Sequence, residues 1–328
     1  MDFPVKHTLI HYPKYIFSTV PVFCKNYCMQ PLFLRQASMN PREKQQHTIL
    51  NKPAEHWVGN GFCVRSLFSY PAVGDTVSPF LLMDYAQPRS FPPTTEKKGV
   101  GEHPHRGFET VTIAYEGEIA HRDSSGGGGT IRTGDVQWMT AGGGIVHEEF
   151  HSPAFAHRGG TMKMVQFWVN LPRSKKRITP AYQAISRAVI PEKRLPRGAG
   201  TLRIIAGDYL GTAGPAATQS PMNVFDLRLH TSQPLSVKIP SGHIGILAVL
   251  SGEIDTGSTT ISECETALYD EQGDHISLTA GRHAHALLLS GIPFHEPLAG
   301  GGPFVMNTNE EIRQAFEDYH NGKMGHLE

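Results

Sequence analysis

Apolar and polar residues alternate along this chain in short runs broken by glycine, proline and aspartate, a period of two that predicts strands rather than helices. Residues 57–68 read as two short strands about a turn, and residues 80–85 as a further apolar strand. Residues 108–115 form a nearly unbroken apolar run closed by Glu116-Gly117, a buried strand and its turn. Residues 162–170 predict a strand that sets Gln166, Trp168 and Asn170 on one face, as a barrel wall. Between these runs, residues 86–100 are rich in proline and charge and read as a long loop. The four glycines at 126–129 are followed by no helix and no Gly-Lys-Ser/Thr, so they predict a hairpin tip and not a phosphate cradle. The second half repeats the pattern at 202–207, 223–229 and 243–254, and the end of the last run resembles residues 113–119, a hint of internal duplication. Only the tail is helical in period: Thr308, Asn309, Glu310 and Glu311 form an N-terminal cap ahead of Ile312, Ala315, Phe316 and Tyr319.

Composition agrees with short strands and many turns, with 34 glycines and 24 prolines in 328 residues. Thirty basic and 30 acidic residues balance, which gives no global field toward nucleic acid or membrane. No apolar run is long enough to cross a bilayer. The cysteines, Cys24, Cys28, Cys63 and Cys264, are scattered and predict a reducing, cytoplasmic compartment without a disulfide framework. The expected organisation is a disordered or mis-annotated extension over 1–48, a metal-binding domain over 49–180, a second domain over 181–305, and a helix and tail over 306–328. The basic run from Pro172 to Arg177 reads as a solvated loop between domains.

Candidate chemistry sits in two short stretches. His103 and His105 have one residue between them, as do His147 and Glu149. On a strand, positions i and i+2 share a face, so two such strands side by side aim three imidazoles and one carboxylate at a common point. That donor set suits a borderline divalent ion: Fe(II), Mn, Co, Ni or Cu. A structural zinc would more often recruit thiolates, and neither stretch has a cysteine nearby. Four ligands in an octahedral site leave two positions for substrate and dioxygen. Among 18 histidines, about one His-x-His pair arises by chance, and His283 with His285 is a second such pair. The first pair is distinguished by the buried strand that follows it; the second lacks an acidic partner motif.

The repeated short strands, the His-x-His strand followed by Glu109, and the glycine-rich second motif resemble the cupin superfamily, an all-β jelly roll (double-stranded β-helix) that holds a metal inside. Thr140-Ala141-Gly142 stands where a Pro-x-Gly is usual in cupins, and two extra residues precede His147. Those departures, with His103-Pro104-His105-Arg106-Gly107-Phe108-Glu109 and Gly302-Pro303-Phe304-Val305-Met306-Asn307-Thr308, resemble the pirin family over roughly residues 55–325. The resemblance implies two cupin domains, the first binding Fe(II) through His103, His105, His147 and Glu149, with Ni, Co, Cu or Mn as alternatives. It implies that Glu109, a ligand in ordinary cupins, stands behind the ligands and orients an imidazole, and that the second cupin is metal-free. It further implies a quercetin 2,3-dioxygenase-like activity on a small aromatic substrate with O2 and release of carbon monoxide, with Glu149 as the base. The alternative is an iron-dependent regulator that contacts a protein partner without turnover. Phe108, Trp138, Met139 and Phe167 are candidates to line the pocket, and a monomer is expected.

Overall fold

A computed structural model describes residues 42–327 except 231, 232 and 282. Cys24, Cys28 and most of the expected extension lie outside the described residues. The rest folds into two domains of the same plan, each a seven-stranded antiparallel sheet facing a four-stranded one.

In the first domain the large sheet runs Ala181–Ile185, Val136–Thr140, Phe108–Glu116, Gly160–Asn170, Phe80–Phe91, Phe62–Ser69, His56–Val58, and the small sheet runs Gly99–His105, Ile145–His151, Ile119–Asp123, Gly128–Ile131. In the second the large sheet runs Gln46–Leu50, Thr266–Tyr269, Ile244–Ser251, Ala284–Gly291, Met222–Leu229, Gly200–Ala206, Glu192–Arg194. The expected all-β architecture of two cupin-type jelly rolls is therefore present.

The two large sheets face each other. Val111, Ile113 and Tyr115 from one strand meet Val224, Ile246 and Leu287 of the other domain in one apolar seam. The alternate residues of the same strand, Thr110, Thr112 and Ala114, turn inward toward the small sheet. Both faces of Phe108–Glu116 are covered, which is why its sequence is nearly continuous in apolar residues instead of alternating. The interior of the second domain is apolar throughout, built on Leu202, Phe225, Leu247, Ile276 and Leu288. The interior of the first is apolar at one end and polar at the other.

Several expectations change. The strand Gln46–Leu50 pairs with Thr266–Tyr269, so the last part of the expected extension is the edge of the second domain's sheet. Just before it, buried Lys44 donates to the carbonyls of His243, Asp270 and Glu271 at 2.7, 3.2 and 3.0 Å. The strand Ala181–Ile185 pairs with Val136–Thr140, so the first sheet continues past residue 180. The expected loop over 86–100 is strand as far as Phe91, because Pro88 falls where the ladder slips opposite Lys163, and a slip tolerates a residue without an N–H. The basic run is only partly solvated. The Lys176 amine is buried and donates to Asn170 Oδ1 (2.5 Å) and to the carbonyls of Gly107 and Val305 (2.8 Å each). Burial draws its pKa down to about 7.

The predicted helix spans Asn309–His320, with the Thr308 and Glu311 capping box in place. Ile312 and Ala315 pack on Val146, Phe304, Met306 and Met324, so the C-terminal helix covers the back of the first domain's strand Ile145–His151. Among the described residues, no helix is long and apolar enough to cross a membrane.

Candidate metal centre

The strand Ile145–His151 lies between Gly99–His105 and Ile119–Asp123. Register places His147 directly opposite His103 on one side and Asp123 on the other, and Glu149 opposite His121. Directly opposed residues share a face, so all of these side chains enter the polar end of the barrel. Ring centroids of His103 and His147 are 4.3 Å apart, those of His103 and His105 4.8 Å, and those of His105 and His147 4.8 Å.

One nitrogen from each of His103, His105 and His147 falls within 4.8 Å of the others. A second group, His121, His147 and Glu149, meets the same limit and shares His147 with the first. The structure thus gathers the three expected imidazoles directly, and brings Glu149 to them by way of His147. Glu149 accepts from Gln137 Nε2, from Gln166 Nε2 at 2.7 Å and from Thr112 Oγ1 at 3.4 Å, which fixes both carboxylate oxygens.

Hydrogen bonds decide which nitrogens are free. His103 Nδ1 donates to the Gly101 carbonyl (2.7 Å), and His105 Nδ1 to the Pro303 carbonyl (3.3 Å), so each presents Nε2. His121 Nε2 donates to Asp123 Oδ2 at 3.1 Å, which leaves its Nδ1 to accept from His147 Nδ1 at 3.3 Å. His147 Nε2 then carries a lone pair, and it is buried with no hydrogen-bond partner. Burial, reinforced by the neighbouring rings, lowers the pKa of His105 to about 3 and that of His147 well below its usual value. Both are neutral imidazoles at physiological pH, the form that binds a metal. An orphaned buried nitrogen is costly unless something occupies it, and a cation between these rings answers that cost. Bonds from His121 and Ser125 hold the Asp123 carboxyl down at about 2, although burial acts the other way.

The turn from the first ligand-bearing strand, Gly99–His105, into Phe108–Glu116 demands glycine. Gly107 has φ +86°, and a Cβ there would stand 2.0 Å from the Val305 carbonyl oxygen. Beside it, Arg106 donates Nε to the Gly143 carbonyl at 2.7 Å and forms a buried ion pair with Asp318 of the C-terminal helix at 2.8 Å.

Some expected roles fall elsewhere. Glu109 lies on the opposite face of its strand from Thr110 and Thr112 and accepts from Thr140 Oγ1, so it cannot orient a ligand imidazole. Burial raises its pKa to about 7. Trp138 and Phe167 meet edge to face at 6.3 Å in the seam between domains and do not line the pocket. Met139 clusters with Ala141, Ile145 and Tyr182. Phe108 does border the site, 5.0 Å from the His105 ring and 4.3 Å from that of Trp168. In the second domain, His285 turns to the seam and bonds Asp226 Oδ1 at 2.6 Å, while His283 is exposed. Neither points into that domain's apolar interior, and neither belongs to a metal-type cluster among the described residues. His121, Asp123 and Tyr182, whose ring stacks on His121 at 4.8 Å, were not anticipated. The signal for the first two was available: His121 and Asp123 repeat the same i, i+2 spacing as the other pairs.

Comparison with known proteins agrees with this geometry. The model of the family Pirin matches residues 61–169, and that of the Pirin C-terminal cupin domain matches residues 224–325. A Pseudomonas aeruginosa protein provisionally named quercetin 2,3-dioxygenase is 52% identical over 275 residues, covering 84% of this chain and 96% of its own. Human pirin is 35% identical over 297 residues, covering 88% of this chain and 96% of its own. The crystal structure of a quercetin 2,3-dioxygenase from Acinetobacter baumannii superposes with a TM-score of 0.85 at 49% identity, covering 88% of this chain and 100% of that one. The Pseudomonas and Acinetobacter proteins carry the name of an oxidoreductase, and with the His/Glu cluster they point to a divalent metal. The two cupin domains, the matched models over both of them and the relatives of full length together make this chain a member of the pirin family.

Proposed function

We propose that the chain is a metal-dependent dioxygenase that cleaves quercetin or a related enolic aromatic with O2 and releases carbon monoxide. The ligands are His103, His105, His147 and Glu149, and the resident ion is Fe(II). The observation that carries this reading is the convergence of the His103 and His105 imidazoles on a buried His147 nitrogen that has no hydrogen-bond partner. Three nitrogens and one carboxylate suit Fe(II); Ni, Co, Cu and Mn accept the same set. When bound, the ion supplies Lewis acidity to an enolic hydroxyl and an electron-transfer centre for dioxygen chemistry.

The chain's own residues do the rest. Glu149 is the group placed to take the proton of the flavonol 3-hydroxyl, and Gln137 and Gln166 aim its oxygens. A carboxylate held by two amides is already oriented, so little reorganisation accompanies proton transfer. Phe108 and Trp168 offer flat apolar surface beside His105 for an aromatic ring. Asp123 and His121 fix the His147 ring from behind.

The test is elemental analysis of the purified chain and of His105→Ala, with quercetin turnover followed by loss of flavonol absorbance and release of carbon monoxide. The native chain is expected to hold one equivalent of metal and to turn over, and the variant to lose both. Full loading of His105→Ala would contradict the ligand set. Loaded native chain that neither consumes quercetin nor evolves carbon monoxide, yet retains a protein partner only when metal is present, would replace the enzyme by the regulator.

A further inference from the structure

Away from the metal centre, at the rim of the seam between domains, lies a cleft of about 770 Å³ walled by strands of both domains. Its floor is ionic and internally satisfied. Asp226 is wholly buried and takes Arg203 Nη1 at 3.0 Å and His285 Nε2 at 2.6 Å. Arg203 also reaches across the seam to the Gly134 carbonyl at 2.5 Å.

Above that floor the side chains are unpaired. Lys163 from the first domain, Arg228 from the second and Arg187 from the segment between them all line the cleft. None of the three makes a side-chain hydrogen bond or ion pair among the described residues, although Lys163 Nζ lies 5.5 Å from the Tyr115 ring centre. Glu116 and Glu192 also border the cleft, so these three cations and two carboxylates sum to one positive charge. The decisive group is Tyr115. Its residue is 5% exposed, it lines the cleft, and its hydroxyl is buried with no partner. Burial and the neighbouring Asp226 carboxylate push its pKa well above the usual phenol range, so it offers a proton and does not give one up. A buried hydroxyl left unmatched on a residue that lines the cleft calls for an acceptor.

We propose that this cleft binds a small organic oxyanion, carboxylate or phosphate, through the Tyr115 hydroxyl, the Lys163 ammonium and the Arg228 guanidinium. Each is a donor to oxygen, and the two cations make the bonds charge-assisted. The volume exceeds what one anionic group fills and leaves room for an organic body. Because the donors come from both domains, the ligand ties them together and stabilises the folded chain by mass action. The site is independent of the metal chemistry proposed above.

Calorimetric titration of the full chain at low ionic strength with inorganic phosphate and, separately, with citrate tests this, with potassium chloride as the ionic-strength control. Saturable binding of one probe and a raised melting temperature are expected, and the preferred probe tells a phosphoryl group from a carboxylate. Arg228→Gln and Lys163→Met should each weaken binding by about tenfold. Tyr115→Phe should weaken it without lowering the melting temperature of the free protein, and none of the three should change metal content. Failure of both probes to saturate, or unchanged affinity in all three variants, would overturn the proposal.

Discussion

At the scale of single residues, the site depends on which nitrogen of each ring is free, and that is set by what stands behind it. His147 is held through His121, and His121 through Asp123. In His121→Ala the His147 Nδ1 loses its acceptor and the ring loses its orientation. Metal affinity should then fall by about 10–100-fold, the usual effect of removing a partner behind a ligand histidine. Competition with a chelator of known affinity measures it, and unchanged affinity would remove His121 from the role. The i, i+2 spacing was enough to foresee that His103, His105 and His147 meet, but not that His121 joins His147 and Glu149 in a second group. It could not show that Glu149 would be fixed by Gln137 and Gln166, because those contacts come from strands far away in sequence. Glu109 was misplaced for a related reason. Its face depends on where the strand starts after Gly107, and one residue of slip turns every side chain over.

At the scale of elements, short alternating runs and the capped tail were legible as strands and a helix, and the seven-residue strand Ile145–His151 is where expected. What the linear pattern concealed was partnership. An edge strand such as Gln46–Leu50 has the same alternation whichever sheet it joins, and its place beside Thr266–Tyr269 is a matter of chain path. The same holds for the C-terminal helix, which follows the second domain in sequence but packs on the first. Its anchor is the ion pair of Arg106 with Asp318, both nearly inaccessible. Asp318→Asn leaves the Arg106 charge buried without its counter-charge, which costs about 3 kcal/mol. Denaturant unfolding should show that loss as a lower midpoint with an unchanged slope. A variant as stable as the native chain would mean that Gly143 alone satisfies the guanidinium.

At the scale of the whole molecule, the domains are interlocked. The first strand belongs to the second domain, the last helix to the first, and one apolar seam joins the large sheets, with Tyr85 donating across it to the Leu250 carbonyl at 2.8 Å. Such a molecule should unfold in one cooperative step, so a group on the seam face affects the stability of the whole. Glu109 is that group: wholly buried, on the seam face of its strand, with Oε2 unpartnered and its pKa raised from 4.5 to about 7 by burial. Between those two values the folded state holds a proton that the unfolded state releases. The contribution of Glu109 is therefore full below pH 4.5 and is lost as pH rises from there through 7, by on the order of 3 kcal/mol in total. Glu109→Gln keeps the shape and the acceptor for Thr140 but has no charge to bury. Its melting temperature should match that of the native chain near pH 5 and exceed it at pH 8, each in a single transition. An advantage that is equal at both pH values would assign the effect to something other than the buried charge, and two separate transitions would show that the seam does not couple the domains.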